Sequence, residues 1–193
     1  MKIDYTNYYW QDELVRLRAM QPNDWSNVFL MEFDGTARRL LNYEQELPPT
    51  EENRKAKTEQ HSGYKDDDTE WLVFIVETLD GKYVGYVNLN SIDERHGTFS
   101  VGIQIVSNEC GKGYGTAAMR IIMRYAFDER RLNKYYGSVI ENNIASATML
   151  KKLGCTQEGV RREQIFMNGR YWNEIFFGIT ANEFHENEND TRK

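Results

Sequence analysis

The 193-residue sequence predicts an α+β fold: one domain in which helices flank a twisted, mostly antiparallel sheet of about seven strands. Three observations predict it. Three β-forming runs follow one another between Trp71 and Val106, joined by short turns, and read as an antiparallel meander. A glycine-rich turn, Cys110-Gly111-Lys112-Gly113-Tyr114-Gly115-Thr116, then opens a run of helical periodicity. Beyond it the chain alternates between strand and helix patterns and closes on a hairpin turned at Asn168-Gly169. The predicted order is β-α-α-β-β-β-α-β-α-β-β.

Leu14-Val15-Arg16-Leu17-Arg18 alternates apolar and charged side chains, the period of a strand. Pro22-Asn23-Asp24 starts a helix, since Asn23 or Asp24 can cap it and Trp25, Val28 and Phe29 recur at helical spacing. Arg38 to Tyr43 reads as a short helix, broken by Pro48-Pro49. Thr50-Glu51-Glu52-Asn53 starts a charged helix through about Gln60, which His61-Ser62-Gly63 ends; Lys65 to Asp68 is a solvated loop. Trp71-Leu72-Val73-Phe74-Ile75-Val76 is strongly β-forming. Asp80-Gly81 is a two-residue hairpin signal, because both residues tolerate positive φ, and Tyr83 to Leu89 returns. Asp93 to Gly97 turns again, and Thr98 to Val106 is the third strand.

In the helix expected from Thr116 to Arg130, Ala118, Ile121, Ile122, Tyr125 and Ala126 fall on one face, which packs on a sheet. Tyr135 to Ile140 is a strand. Asn142-Asn143 caps a helix from Ile144 to Leu153, and Gly154 stops it. Val160 to Met167 and Tyr171 to Ile179 form the closing hairpin, and Asn182 to Lys193 reads as a frayed polar tail. The single domain is expected to span 1–193, with its core over about 13–180. Trp71, Phe74, Tyr171, Trp172, Phe176 and Phe177 belong mostly to the core by alternation.

Composition narrows the function. A net charge of −6 and the lack of a basic stripe exclude nucleic-acid binding, since Lys151-Lys152 and Arg161-Arg162 are too short to form one. No apolar run nears the roughly 20 residues of a membrane span, and Met1 to Asp12 lacks a signal-peptide pattern, so the expected location is cytoplasmic. Cys110 and Cys155 are expected as free thiols. His61, His96 and His185 have no metal-ligand spacing, and no metal site is expected.

The glycine loop carries the chemistry. Alternate glycines on a turn opening a helix leave N–H groups uncovered at the positive end of the helix dipole, which makes a site for phosphate. The Walker loop needs a lysine followed by Ser or Thr at its close, which is absent. The dinucleotide fingerprint needs G-x-G-x-x-G, whereas these glycines are at 111, 113 and 115. A turn without a ligand is the remaining plain reading.

The whole neighbourhood says more. A strand, Gly111-Lys112-Gly113-Tyr114-Gly115-Thr116, an amphipathic helix, a strand, Asn143-x-x-Ser146, and then Lys152-Leu153-Gly154-Cys155 resemble the GNAT superfamily of N-acetyltransferases. The resemblance covers roughly Leu14 to Ile179 and is closest to the enzymes that acetylate ribosomal-protein N-termini and to spermidine acetyltransferases. It implies acetyl-CoA as cosubstrate, an amine acceptor (a peptide N-terminus, polyamine or other small amine), no metal, and compatibility with a homodimer. It also implies a role for particular residues. Cys110, Gly111, Lys112, Gly113, Tyr114, Gly115 and Thr116 would hold the pyrophosphate, with Cys110 standing where the family usually has Arg or Gln. The backbone of Ile105, Val106 and Ser107 would pair with the pantetheine arm and stabilise the oxyanion. Asn143 would bind the coenzyme arm or simply cap its helix. Ser146 would protonate the departing thiolate, because the family's tyrosine acid is replaced by Leu150. The family's usual glutamate base falls on Ser100, leaving Glu77, Glu141 and Glu94 as replacements. An acyl-CoA-binding module with impaired catalysis is the alternative.

Overall fold

The structure, a computed structural model, describes residues 3–62 and 71–191; the loop expected at Lys65 to Asp68 lies outside them. Seven strands form one sheet in the order β1-β2-β3-β4-β5-β7-β6. They are β1 (Val15–Ala19), β2 (Leu72–Thr78), β3 (Tyr83–Asp93), β4 (Thr98–Ile105), β5 (Lys134–Ile140), β6 (Thr156–Met167) and β7 (Arg170–Thr180). Every neighbouring pair is antiparallel except β4 and β5. The β2–β3 connection is a four-residue loop closed by Thr78, whose N–H donates to Lys82 O, so it is longer than the two residues expected.

The helices divide between the two faces. α4 (Tyr114–Arg124), α5 (Ile144–Lys152) and α6 (Ala181–Thr191) cover one face; α1 (Trp25–Met31) and α2 (Gly35–Asn42) cover the other, and α3 (Glu51–Gln60) packs on α1. A parallel β4–β5 pair needs a crossover, and α4 supplies it. The apolar face expected on α4 is the buried one: Ala118, Ile121, Ile122 and Ala126 are at most 1% exposed. Ile121 and Ile122 each contribute about 1.5–3 kcal/mol through burial. They meet Val15, Leu17, Phe74 and Phe99 of the sheet in the main core. The helix does not run uniformly to Arg130. Tyr125–Glu129 is a π-helical turn, with Arg130 N–H bonded to Tyr125 O at 3.1 Å. That wider turn lets consecutive Ala126 and Phe127 both point inward.

Several expectations change here. Three helices separate β1 from β2, one for each helical stretch read in that span and one more than the predicted order carries. The polar tail is helical: in α6, Phe184 is buried against Phe127, and Thr180 and Glu183 bond each other as a capping box. Trp71 and Tyr171 are exposed, whereas Phe74 and Phe177 are core. The charged face of β1 is not solvated. Arg16 and Arg18 hold the two oxygens of buried Glu77, and Arg18 also forks onto buried Asp24 under α1.

Candidate active site

Pairing between β4 and β5 lasts two residues, Thr98 with Lys134 and Phe99 with Tyr135. Past that point the strands part, while β5 stays paired to β7 along its whole length. The wedge leaves an edge of β4 backbone without a partner strand. Val106 N–H donates to Val84 O on β3 at 2.9 Å. Strand backbone groups alternate in direction, so the amides of Ile103 and Ile105 face the wedge. This corrects the expected set of Ile105, Val106 and Ser107: the Val106 amide is committed to the sheet.

The glycine loop closes one end of the wedge. A single 3₁₀ turn, Ser107–Glu109, leads into it. Gly111 (φ +81°) and Gly113 (φ +89°) take the left-handed conformation that glycine adopts without strain. Gly113 is the N-cap of α4 and has no side chain to cap with; the first helical bond is Ala117 N–H to Gly113 O at 3.0 Å. The amides of Tyr114, Gly115 and Thr116 therefore have no intrahelical acceptor. Gly115 packs closely: a Cβ there would meet Met149 Sδ at 3.3 Å, a tight contact, and Ile105 Cγ1 at 3.5 Å. Buried Glu109 ties the loop down by accepting from Lys82 (2.6 Å) and Lys112 (2.8 Å). Those two ammonium groups, Lys112 first, hold its carboxyl below the usual range.

Loop, wedge and the start of α5 enclose a cavity of about 980 Å³. Of the residues expected at the site, Ile105, Ser107, Cys110, Gly111, Gly113, Tyr114, Gly115, Thr116, Asn143 and Ser146 line it; Val106 and Lys112 do not. Asn143 is realised as a helix cap, its Oδ1 accepting from Ser146 N–H at 3.1 Å, and this fixes Ser146 in the first turn of α5. Leu150 is buried. Cys110 Sγ sits near the Ile105 and Val106 carbonyl oxygens, and burial, with Asp34 nearby, pushes the thiol pKa up.

The expected bases fare differently. Glu77 lies outside the cavity, and both of its oxygens are held by arginines, so it is neither a surface carboxylate nor a free base. Glu141 is also outside the lining, with Oε2 accepting from Asn173 at 2.8 Å. Glu94 pairs with Arg130. Sequence reasoning named none of the side chains of the far wall, formed by α2 and β5. Asp34 caps α2 through Ala37 N–H and accepts from the Ser107 hydroxyl; these two bonds, the backbone one first, lower its pKa. Tyr43, held at φ +62°, donates to Ser138 O at 2.9 Å, and burial raises its pKa. Ser138 in turn donates to Glu174 Oε1 at 2.7 Å. Alternation in Tyr136-Gly137-Ser138-Val139-Ile140 was the available signal, since Ser138 is the hydroxyl facing away from the main core.

An anion with an extended, amide-bearing arm fits this arrangement. Open space surrounds Gly111, the amides at the start of α4 are uncapped, and the β4 edge is free to pair. Fold and site thus define a coenzyme A-dependent acyltransferase. The sequence gives the same answer: residues 15–156 match the family model described as Acetyltransferase (GNAT) domain, and the chain belongs to that family. It is an acetyltransferase with acetyl-CoA as cosubstrate. Over 180 residues it is 29% identical to the SPbeta prophage-derived uncharacterized N-acetyltransferase YokL of Bacillus subtilis, covering 93% of this chain and 97% of that protein. Over 111 residues it is 33% identical to the spermidine N(1)-acetyltransferase of Escherichia coli, covering 58% of this chain and 59% of that one. The crystal structure of spermidine N-acetyltransferase from Vibrio cholerae in complex with CoA and spermine superposes with a TM-score of 0.78 at 22% identity, covering 90% of this chain and 99% of that chain. No helix among the described residues is long and apolar enough to cross a membrane, and no cluster there could hold a metal ion.

Proposed function

We propose that the protein transfers acetyl from acetyl-CoA to a primary amine by direct attack of the neutral amine on the thioester. One observation carries this reading: the parting of β4 and β5 opens into the same cavity as the uncapped start of α4 and Ser146. Gly111, Gly113, Tyr114, Gly115 and Thr116 present their amides to the pyrophosphate, where the helix dipole favours negative charge. The pantetheine arm adds to the β4 edge as a short strand, on the backbone of Ile103 and Ile105. A wedge amide donates to the thioester oxygen and stabilises the negative charge that develops there. As the amine nitrogen bonds to the carbonyl carbon and the C–S bond breaks, Ser146 gives its proton to sulfur.

The acceptor is a small molecule or peptide with a free amine. Spermidine comes first, because the Escherichia coli relative is named for it; a peptide N-terminus comes second. The reaction needs neither membrane nor nucleic acid, and we place the enzyme in the cytoplasm, as a homodimer if it self-associates. Thiol release from acetyl-CoA with spermidine, other amines and peptides, with product mass detection, tests the reading. Amine-dependent release and a product heavier by one acetyl group are expected. Tight acetyl-CoA binding without release toward any amine overturns it.

A further inference from the structure

The amine must lose a proton before it attacks, and none of the carboxylates expected from sequence reaches the cavity. We propose that Ser138 and Glu174 form the proton relay on the acceptor side; this rests on the amine-acetylation reading above.

Ser138 stands on β5, past the last residue paired to β4, and lines the cavity. Its neighbours Gly137 and Val139 line the same cavity, while Ile140 packs with Leu40 and Tyr43 beneath α2. Ser138 thus faces the wall opposite α4, where an acceptor would enter without crossing the coenzyme. Behind it Glu174, on β7, is 9% exposed. Its two oxygens are distinct: Oε1 accepts from Ser138 Oγ at 2.7 Å, and Oε2 accepts from Arg161 of β6 at 3.3 Å. Two titratable groups contact the pair: Arg161, and Tyr43 at the C-cap of α2, whose hydroxyl lies 3.4 Å from Ser138 Oγ. Arg161 bonds Oε2 and leaves Oε1 to Ser138. A buried carboxylate connected to the cavity through one hydroxyl can take a proton from an ammonium without touching it.

The step balances. The ammonium passes one proton to Ser138 Oγ as Ser138 passes its own to Glu174 Oε1, leaving a neutral amine and a carboxylic acid. The amine forms the C–N bond, the C–S bond breaks, and the nitrogen's second proton matches the one taken up by sulfur. Glu174 then releases its proton to solvent through Ser138. Ser138 would touch substrate; Glu174 acts through it.

The test measures kcat and KM for spermidine against pH in the parent protein and in Glu174→Gln, which keeps an acceptor for Ser138 but no base. At pH 7, kcat should fall by about 100-fold with the acetyl-CoA KM unchanged. The loss should shrink as pH nears about 10, where free amines deprotonate unaided. If Glu174→Gln does not fold, Ser138→Ala should give the same pH-dependent loss. Activity within twofold of the parent in either variant, or a loss equal at every pH, overturns the relay alone. A parent that releases thiol with no amine overturns the acetylation reading, and the relay with it.

Discussion

A methyl group on Gly113 would meet Leu14 Cδ1 at 3.2 Å, and the residue already sits at φ +89°. Both facts bear on one substitution. An alanine there pays for the left-handed conformation with about 1 kcal/mol and turns the loop that presents the Tyr114, Gly115 and Thr116 amides. Gly113→Ala should therefore weaken acetyl-CoA binding by tenfold or more in calorimetric titration, while the thermal midpoint drops by only about 2–4 °C. Gly111→Ala would meet nothing within 4 Å, but at φ +81° it carries the same left-handed strain, so it should also weaken binding, without the added contact with Leu14. Glu77 makes the complementary point: it packs against two arginines from a neighbouring strand, and removing one partner of such a buried group exposes the others to an unpaired charge.

Helix α6 is where local sequence and tertiary packing meet. Its other ten residues are largely polar, yet Phe184 reaches the core, with its ring centroid 5.2 Å from Phe127, and Arg120 of α4 bonds Glu188 at 2.8 Å. Phe184→Ala should destabilise the fold by about 3–5 kcal/mol, a fall in midpoint of roughly 6–20 °C for a chain of this size; denaturation followed by circular dichroism checks it. The same helix marks how far the sequence could be read. Thr180-Ala181-Asn182-Glu183 has the spacing of a capping box, so the helix start was visible, but one aromatic in a polar run gave no periodic face. By contrast, α4 and the π-helical turn after it carried five apolar positions in register, and Asn168-Gly169 took the positive φ values of +55° and +77° that its turn required. The glycine loop was legible for the same reason: it is local. The partners of Glu77, the Val84–Val106 bond and the Ser138–Glu174 contact are set by which strands lie side by side, and no period in one strand encodes that.

At the scale of the molecule, charge and burial set a stability window. Asp34, Glu46, Glu109 and Glu183 all have lowered pKa values, caused first by Ala37 N–H, Arg38, Lys112 and Thr180 N–H respectively. Each binds its proton less readily folded than unfolded. The stability they give is present above the unfolded carboxylate range of about 4 and is lost as pH falls through the folded values. On the alkaline side burial pushes Cys155 up to about 12. A thiol raised on folding supports the fold below its unfolded value of about 8.5 and loses that support as pH climbs toward the folded one. The thermal midpoint should be level from about pH 5 to about pH 8 and fall on both sides. Acid carries a further consequence, because Asp34 and Glu109 line the cavity and hold α2 and the glycine loop. Asp34→Asn should flatten the acid limb of the midpoint curve measured from pH 7 to pH 3, and Cys155→Ala the alkaline limb. A midpoint that rises on acidification would contradict the direction of all four carboxylates.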